Sequence, residues 1–288
     1  MSDSVAIVSG GLDSTTLVYD MLQRGLVPHM ISFNYGQRHK KELEYAKYTA
    51  RRLQLKHDVI DLSGLTPLIS NSALTSGNDI IDVPEGHYAE ENMSATVVPN
   101  RNMIMVSIAA AIAVNEKADT IGIGVHAGDH FVYPDCRPPF ISLMEQAILT
   151  ANDGFHVLNP ATMRTTPGYH IAGDRQVEYE TAARNLNMLV DSTEEIGTIY
   201  APFLNKSKAD IAERALLLDV PLHDTWSCYK GGEYHCGRCG TCVERLEAID
   251  EAQARLSEKY IRYQEDETVY ADSEYWREAI AARNTEAK

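Results

Sequence analysis

The chain is 288 residues long, 44% hydrophobic and 23% charged, which is ordinary for a soluble globular protein with one substantial core. Its net charge of −15 at pH 7 excludes a general nucleic-acid binder, because neutralising phosphates needs a basic surface. A local nucleotide site stays compatible with that charge, since a few cations outweigh the mean field there.

The first sixty residues alternate strands and helices. A short apolar run closed by glycines predicts a buried strand over 5–8. Helical spacing predicts a helix over 15–23, with Gly25 as its stop. A second strand is expected over 30–33, a charged amphipathic helix over 38–53 and a third strand over 57–62. The polar stretch 66–98, punctuated by Gly and Pro, reads as a long functional loop. An Ala-rich buried helix over 102–115 and a strand over 120–125 resume the alternation. Its apolar core, 103–114, is the longest such run and falls short of the ~20 residues of a membrane span. A helix over 175–188 and an amphipathic helix over 205–217 follow, then a cysteine cluster and polar helices. The expected fold class is α/β: an open parallel sheet with helices on both faces and right-handed crossovers. Residues 1–225 form the nucleotide-binding domain, with an insert near 154–197, and 226–288 carry a small metal-bound C-terminal extension.

Between the first strand and first helix stands Ser9-Gly10-Gly11-Leu12-Asp13-Ser14. Paired glycines let the backbone turn sharply and bring amides close to an anion. The helix start adds unpaired amides and a positive dipole end, which suits phosphate. Ser9 and Ser14 can donate hydroxyl hydrogen bonds. Asp13 would repel bare phosphate, so it acts through Mg²⁺ or caps the helix. No lysine lies in this turn, so it is not a Walker A loop and a P-loop kinase or GTPase is excluded. A second glycine pattern, Gly122-Ile123-Gly124-Val125-His126-Ala127, matches a relaxed dinucleotide fingerprint; no helix is expected after it, so it is read as a decoy.

Four of the five cysteines, Cys228, Cys236, Cys239 and Cys242, fall within fifteen positions among glycines. That spacing fits a metal site in a reducing compartment better than a disulfide framework. Tetrahedral thiolate coordination favours one structural Zn²⁺, with an iron–sulfur cluster as the rival. His235 is a spare ligand. Cys136 stands alone and is read as a polar loop residue rather than a nucleophile. The start Met1-Ser2-Asp3-Ser4 lacks the basic character of a secretory leader, and a cytoplasmic location is expected.

Together these pieces resemble the 7-cyano-7-deazaguanine synthase family of the PP-loop ATP pyrophosphatase superfamily. Supporting motifs are Phe33-Asn34-Tyr35-Gly36-Gln37-Arg38-His39, Val98-Pro99-Asn100-Arg101-Asn102, Tyr133-Pro134-Asp135-Cys136-Arg137, Lys208-Ala209-Asp210-Ile211 and Thr225-Trp226-Ser227-Cys228-Tyr229, in the family's order. The resemblance implies conversion of 7-carboxy-7-deazaguanine and ammonia to the nitrile with ATP, through an adenylated carboxylate. It implies ATP and Mg²⁺ at Ser9, Gly10, Gly11, Leu12, Asp13 and Ser14, and catalytic roles for Asp13, Lys208 and Arg101. Tyr35, Arg38, Tyr133, Asp135 and Arg137 would bind the substrate, with His39 as a further anion clamp and Tyr35 or Trp226 stacking on the ring. It also implies a homodimer and no direct nucleic-acid or membrane partner.

Two departures stand out. Asn100 occupies a position where the family has glycine; if that glycine needs φ > 0, asparagine is the best substitute. The stretch 154–197 reads as longer than in the usual synthase. The nearest alternative is a paralogue that adenylates a similar carboxylate and passes it to another amine. A tRNA thiolase or lysidine-type ligase, and a zinc module without activity, are more remote.

Overall fold

The structure is a computed structural model that describes residues 3–76, 81–88, 93–152, 198–259 and 261–286. Its centre is a five-stranded sheet: β1 (Ser4–Ile7), β2 (Pro28–Asn34), β3 (His57–Asp61), β4 (Thr120–Gly122) and β5 (Ile199–Tyr200). The strands are ordered β3-β2-β1-β4-β5 and every pairing is parallel. Three helices alternate with the first strands: α1 (Leu12–Gln23), α2 (Glu42–Leu53) and α3 (Arg101–Glu116). Four more follow: α4 (Pro138–Ala151), α5 (Lys208–Leu217), α6 (Gly240–Glu258) and α7 (Tyr275–Glu286).

The two-residue alternation of β1 and β2 divides the core. Ala6 and Met30 face one side, where they pack with Leu17 and Met21 of α1, Ile211 and Ala215 of α5 and Ala252 and Leu256 of α6. Val5 and Ile31 face the other, against Val106, Ala109 and Ala113 of α3 and Ile141 and Ile148 of α4. Helices therefore cover both faces of an open parallel sheet, as expected. The stretch Ser94–Glu116 has the length and hydropathy of a membrane span. Packing of its apolar face against the sheet accounts for that character here.

Several boundaries moved for physical reasons. Helix α1 starts at Leu12, inside the glycine loop, three residues before the expected start. Helix α2 starts only at Glu42, because 38–41 form a turn. Helix α5 starts at Lys208 behind a capping box, in which Ser207 accepts the Asp210 amide and Asp210 accepts the Ser207 amide. Asn100 has φ +57, so the left-handed turn expected there is present with asparagine in place of glycine. Helix α4 was not anticipated, although Pro138 and Pro139 mark its first turn. The helix expected over 175–188, and the insert around it, lie outside the described residues.

In this strand order the chain turns outward in opposite directions from β1, toward β2 on one side and β4 on the other. A crevice opens where the order reverses, beyond the carboxyl ends of β1 and β4. Both glycine motifs of the sequence lead into it.

Candidate active site

The Ser9–Ser14 turn closes on itself through one hydroxyl. Ser14 Oγ accepts the amides of Ser9 and Gly10, both at 3.2 Å, and the Gly11 amide donates to Ser9 Oγ at 3.1 Å. Gly10 has φ +95, and a Cβ there would run into the Glu42 carbonyl, so glycine is required. No side chain caps α1, which leaves its first amides available to an anion. The capping role considered for Asp13 is therefore not used.

Asp13 instead faces Lys208, the first residue of α5. Lys208 Nζ donates to Asp13 Oδ2 at 2.6 Å and lies 3.6 Å from Glu244 Oε2 on α6. Burial works against the Lys208 charge, but Asp13, Glu244 and Asp129 outweigh it and hold the ammonium above its ordinary value. His126 completes the group. Its Nδ1 accepts the Gly128 amide at 3.1 Å, so the ring proton sits on Nε2, 3.6 Å from Asp129 and 3.9 Å from Asp13. Among the described residues, Asp13 Oδ1 is buried without a hydrogen-bond partner. An unsatisfied carboxylate oxygen among further carboxylates is the donor chemistry that a hard divalent cation takes, and it fits the Mg²⁺ that accompanies a nucleotide.

A cavity of about 200 Å³ runs from this cluster to an aromatic wall. Tyr35, Tyr133 and Tyr229 surround Arg101 there, with its guanidinium 5.5 Å from the Tyr133 ring centroid. The Tyr35 phenol also lies in the field of the Arg101 charge. Burial pushes the Tyr35 phenol up to about 12, so it stays neutral at physiological pH. Among the described residues Arg101 has no carboxylate within ion-pair distance, and its charge faces the cavity uncompensated. Cys136 lines the same wall, with its Sγ accepting from Asn102 Nδ2 at 3.1 Å. Burial pushes its thiol well up, which makes it a poor nucleophile.

The cavity lining brings together Ser9, Gly11, Leu12, Asp13, Ser14, Tyr35, His39, Arg101, Tyr133, Lys208 and Trp226 from the sequence reading. Four expected contacts are not part of the lining. Gly10 packs behind the turn against the backbone of Glu42 and Ala46. Asp135 accepts the Asn102 amide at 2.9 Å and so anchors the start of α3 beside Arg101. Arg137 is exposed and donates to the His130 carbonyl. Arg38 donates to the Ile81 carbonyl and lines a neighbouring pocket. Trp226 is 2% exposed, and its ring NH is taken by the Cys228 carbonyl, so it is a core residue at the cavity edge.

Sequence reasoning missed His126, Asp129 and Glu244. The signal for the first was present in the glycine pattern set aside as a decoy. Gly124 is small because a Cβ would press within 3.3 Å of the Asp13 backbone. The motif marks the close approach of two loops, and a short 3₁₀ turn (Ala127–Phe131) follows it in place of an α-helix.

The Sγ atoms of Cys228, Cys236, Cys239 and Cys242 all lie within 4.8 Å of one another. Tetrahedral bonds of about 2.3 Å place thiolates roughly 3.8 Å apart, and Cys236 and Cys242 are 3.9 Å apart. The donor set therefore fits a single ion. The knuckle is braced from outside. Gly86 N donates to the Arg238 carbonyl, Gly240 N to the Pro84 carbonyl, and Lys230 and Arg238 pair with Glu85. This clamp carries Tyr88 to the cavity, where its hydroxyl meets Asp129 at 3.0 Å.

The sequence model of the family described as "Queuosine biosynthesis protein QueC" matches residues 3–182 and 172–253. The chain is 42% identical over 281 residues to the 7-cyano-7-deazaguanine synthase of Brucella anthropi, covering 98% of this chain and 99% of that protein. It is 41% identical over 277 residues to the enzyme of that name in Chelativorans sp., covering 96% and 97%. With that of Paracoccus denitrificans it shares 41% over 280 residues, covering 97% and 98%. These matches run end to end, so the 154–197 stretch is not extra length peculiar to this chain.

Proposed function

The chain belongs to the queuosine biosynthesis protein QueC family, and with that as premise we propose that it is an ATP-dependent carbon–nitrogen ligase making 7-cyano-7-deazaguanine from 7-carboxy-7-deazaguanine and ammonia. One observation carries this reading. A single cavity holds a phosphate-binding turn with Lys208 at one end and an uncompensated Arg101 among tyrosines at the other. A triphosphate and a planar aromatic carboxylate need those two ends.

A carboxylate resists attack by ammonia, so it must first be activated. A carboxylate oxygen attacks the α-phosphorus of ATP, the bond to the β-phosphate oxygen breaks, and pyrophosphate leaves. The uncapped amides at the start of α1 hold the phosphates against the Ser9–Ser14 turn, while Lys208 takes up charge on the departing pyrophosphate. Arg101 clamps the substrate carboxylate, where its planar fork matches two oxygens. Ammonia then adds to the acyl carbon, AMP leaves with the carbon–oxygen bond, and a proton is lost to give the amide. A second ATP activates the amide oxygen in the same way; loss of AMP and the amide protons leaves the nitrile. The protein contributes positioning and charge stabilisation rather than covalent chemistry.

Mg²⁺ with ATP would be held by Asp13, with Asp129 nearby, and would supply charge neutralisation for the phosphates. Zn²⁺ on Cys228, Cys236, Cys239 and Cys242 would lock the knuckle. The domain division at 225/226 and a homodimer belong to this reading, as does a cytoplasmic site, which suits five cysteines with no disulfide among them. Asp135 and Arg137 are assigned to support of the Arg101 wall.

Purified protein incubated with the acid, ATP and ammonium is expected to give AMP and the nitrile by mass spectrometry. AMP without nitrile would transfer the assignment to a paralogue with another amine acceptor. No AMP would end the ligase reading.

A further inference from the structure

We infer that Glu244 is a positioning residue for Lys208, carried to it by the helix that the cysteine knuckle starts. The inference rests on the reading of Lys208 as the cation that meets the departing pyrophosphate.

Lys208 is the first residue of α5, where the positive end of the helix dipole disfavours a cation. Its aim must therefore be set by side chains. Among the described residues two carboxylates lie within ion-pair distance of it, Asp13 Oδ2 at 2.6 Å and Glu244 Oε2 at 3.6 Å, with Asp129 farther off, and all three paired side chains are at least three-quarters buried. An ammonium has three donor directions. Asp13 belongs to the nucleotide turn, and an incoming triphosphate competes with it for Lys208. Glu244 stands on α6, outside the turn that receives the triphosphate, and keeps its hold when that competition occurs.

The backbone beneath Glu244 is fixed from both sides. Two residues earlier is Cys242, in a first turn whose N-cap is Cys239. Thr241 Oγ1 donates to the Ser227 carbonyl at 2.9 Å. The next residue, Arg245, is 0% exposed and donates to Thr225 Oγ1 at 2.6 Å, the Leu222 carbonyl at 2.7 Å and the Tyr270 hydroxyl at 2.8 Å. A carboxylate presented from so rigid a base can set the position of a flexible lysine to a fraction of an ångström, the scale on which turnover depends. The knuckle thereby reaches Lys208 through Glu244.

Charge and position make opposite demands, which separates this role from a structural one. Glu244→Gln removes a negative charge near the triphosphate, so ATP should bind as well or better. Lys208 then loses its second anchor, so turnover should fall. On metal-loaded protein, we expect E244Q to lower kcat for acid-dependent AMP formation by about tenfold or more, with KM for ATP unchanged or lower and the metal content kept. Glu244→Asp restores the charge on a shorter arm and should retain more turnover than E244Q. The inference is overturned by a kcat for E244Q within about twofold of the parent, by a raised KM for ATP, by metal loss with parallel decline of both constants, or by E244D falling below E244Q. If the parent itself forms no AMP, the ligase reading falls and takes this inference with it.

Discussion

Arg101 is held among phenols rather than carboxylates, with its charge turned to a cavity rather than to a partner. A half-buried unpaired cation costs stability, and sites built for ligands commonly carry that cost. Arg101→Met is therefore expected to change the unfolding free energy by less than about 1 kcal/mol, or to raise it, once the lost stacking on Tyr133 is counted. The same substitution should raise KM for the acid by about 30-fold or more, the loss typical of a charge-assisted fork. Urea unfolding beside steady-state kinetics reads both numbers. A variant that loses much stability and keeps its KM would place Arg101 in the scaffold. At this scale the sequence was most informative where chemistry sits in one continuous motif, as in Ser9–Ser14 and the four cysteines. It was least informative for Glu244 and Asp129, which are ordinary acidic residues until folding sets them beside Lys208. Asp135 shows the converse: its motif was recognised, but its carboxylate is spent on an amide of α3.

Elements are tied together by a second, fully internal ion network. Asp20 on α1 is 2% exposed and accepts from Arg214 of α5 at 2.6 Å, from Arg24 at 2.9 Å and from the Tyr200 hydroxyl of β5. Burial alone would raise its carboxyl, but Arg214, Arg24 and Tyr200 outweigh it and hold it below the usual carboxylate value. A lowered folded-state pKa contributes stability above the unfolded value of about 3.9, and that contribution is lost as the pH falls through the folded value. Asp20→Asn should thus cost about 3–5 kcal/mol at pH 7. The gap to the parent should narrow as the pH is taken below about 4. Chemical denaturation at several pH values checks this, and a gap that widened in acid would contradict it. Periodicity revealed α1, α2, α3 and α5 because each has a clear buried stripe. Helix α4 received no expectation, although Pro138-Pro139 suits a first helical turn. The late start of α2 escaped because 38–41 are charged residues with no pattern that separates turn from helix.

On the scale of the whole molecule, the order β3-β2-β1-β4-β5 places the nucleotide turn after β1 and the Gly124–His126 segment after β4 on one crevice. The cysteine knuckle closes the crevice from the far side, through Tyr88, Thr241 and Glu244. Alternation of strands and helices made the sheet legible from the sequence. The closing wall was not, because it is assembled from segments more than a hundred residues apart that meet only at the metal site. The account's central claim is that a substrate carboxylate attacks the α-phosphorus of ATP in this crevice. Acid labelled with ¹⁸O in both carboxyl oxygens, turned over with ATP and ammonium, tests it directly. The account predicts one ¹⁸O in the phosphate of each AMP released and none left in the nitrile product. AMP without label, or ADP and phosphate in its place, would contradict it.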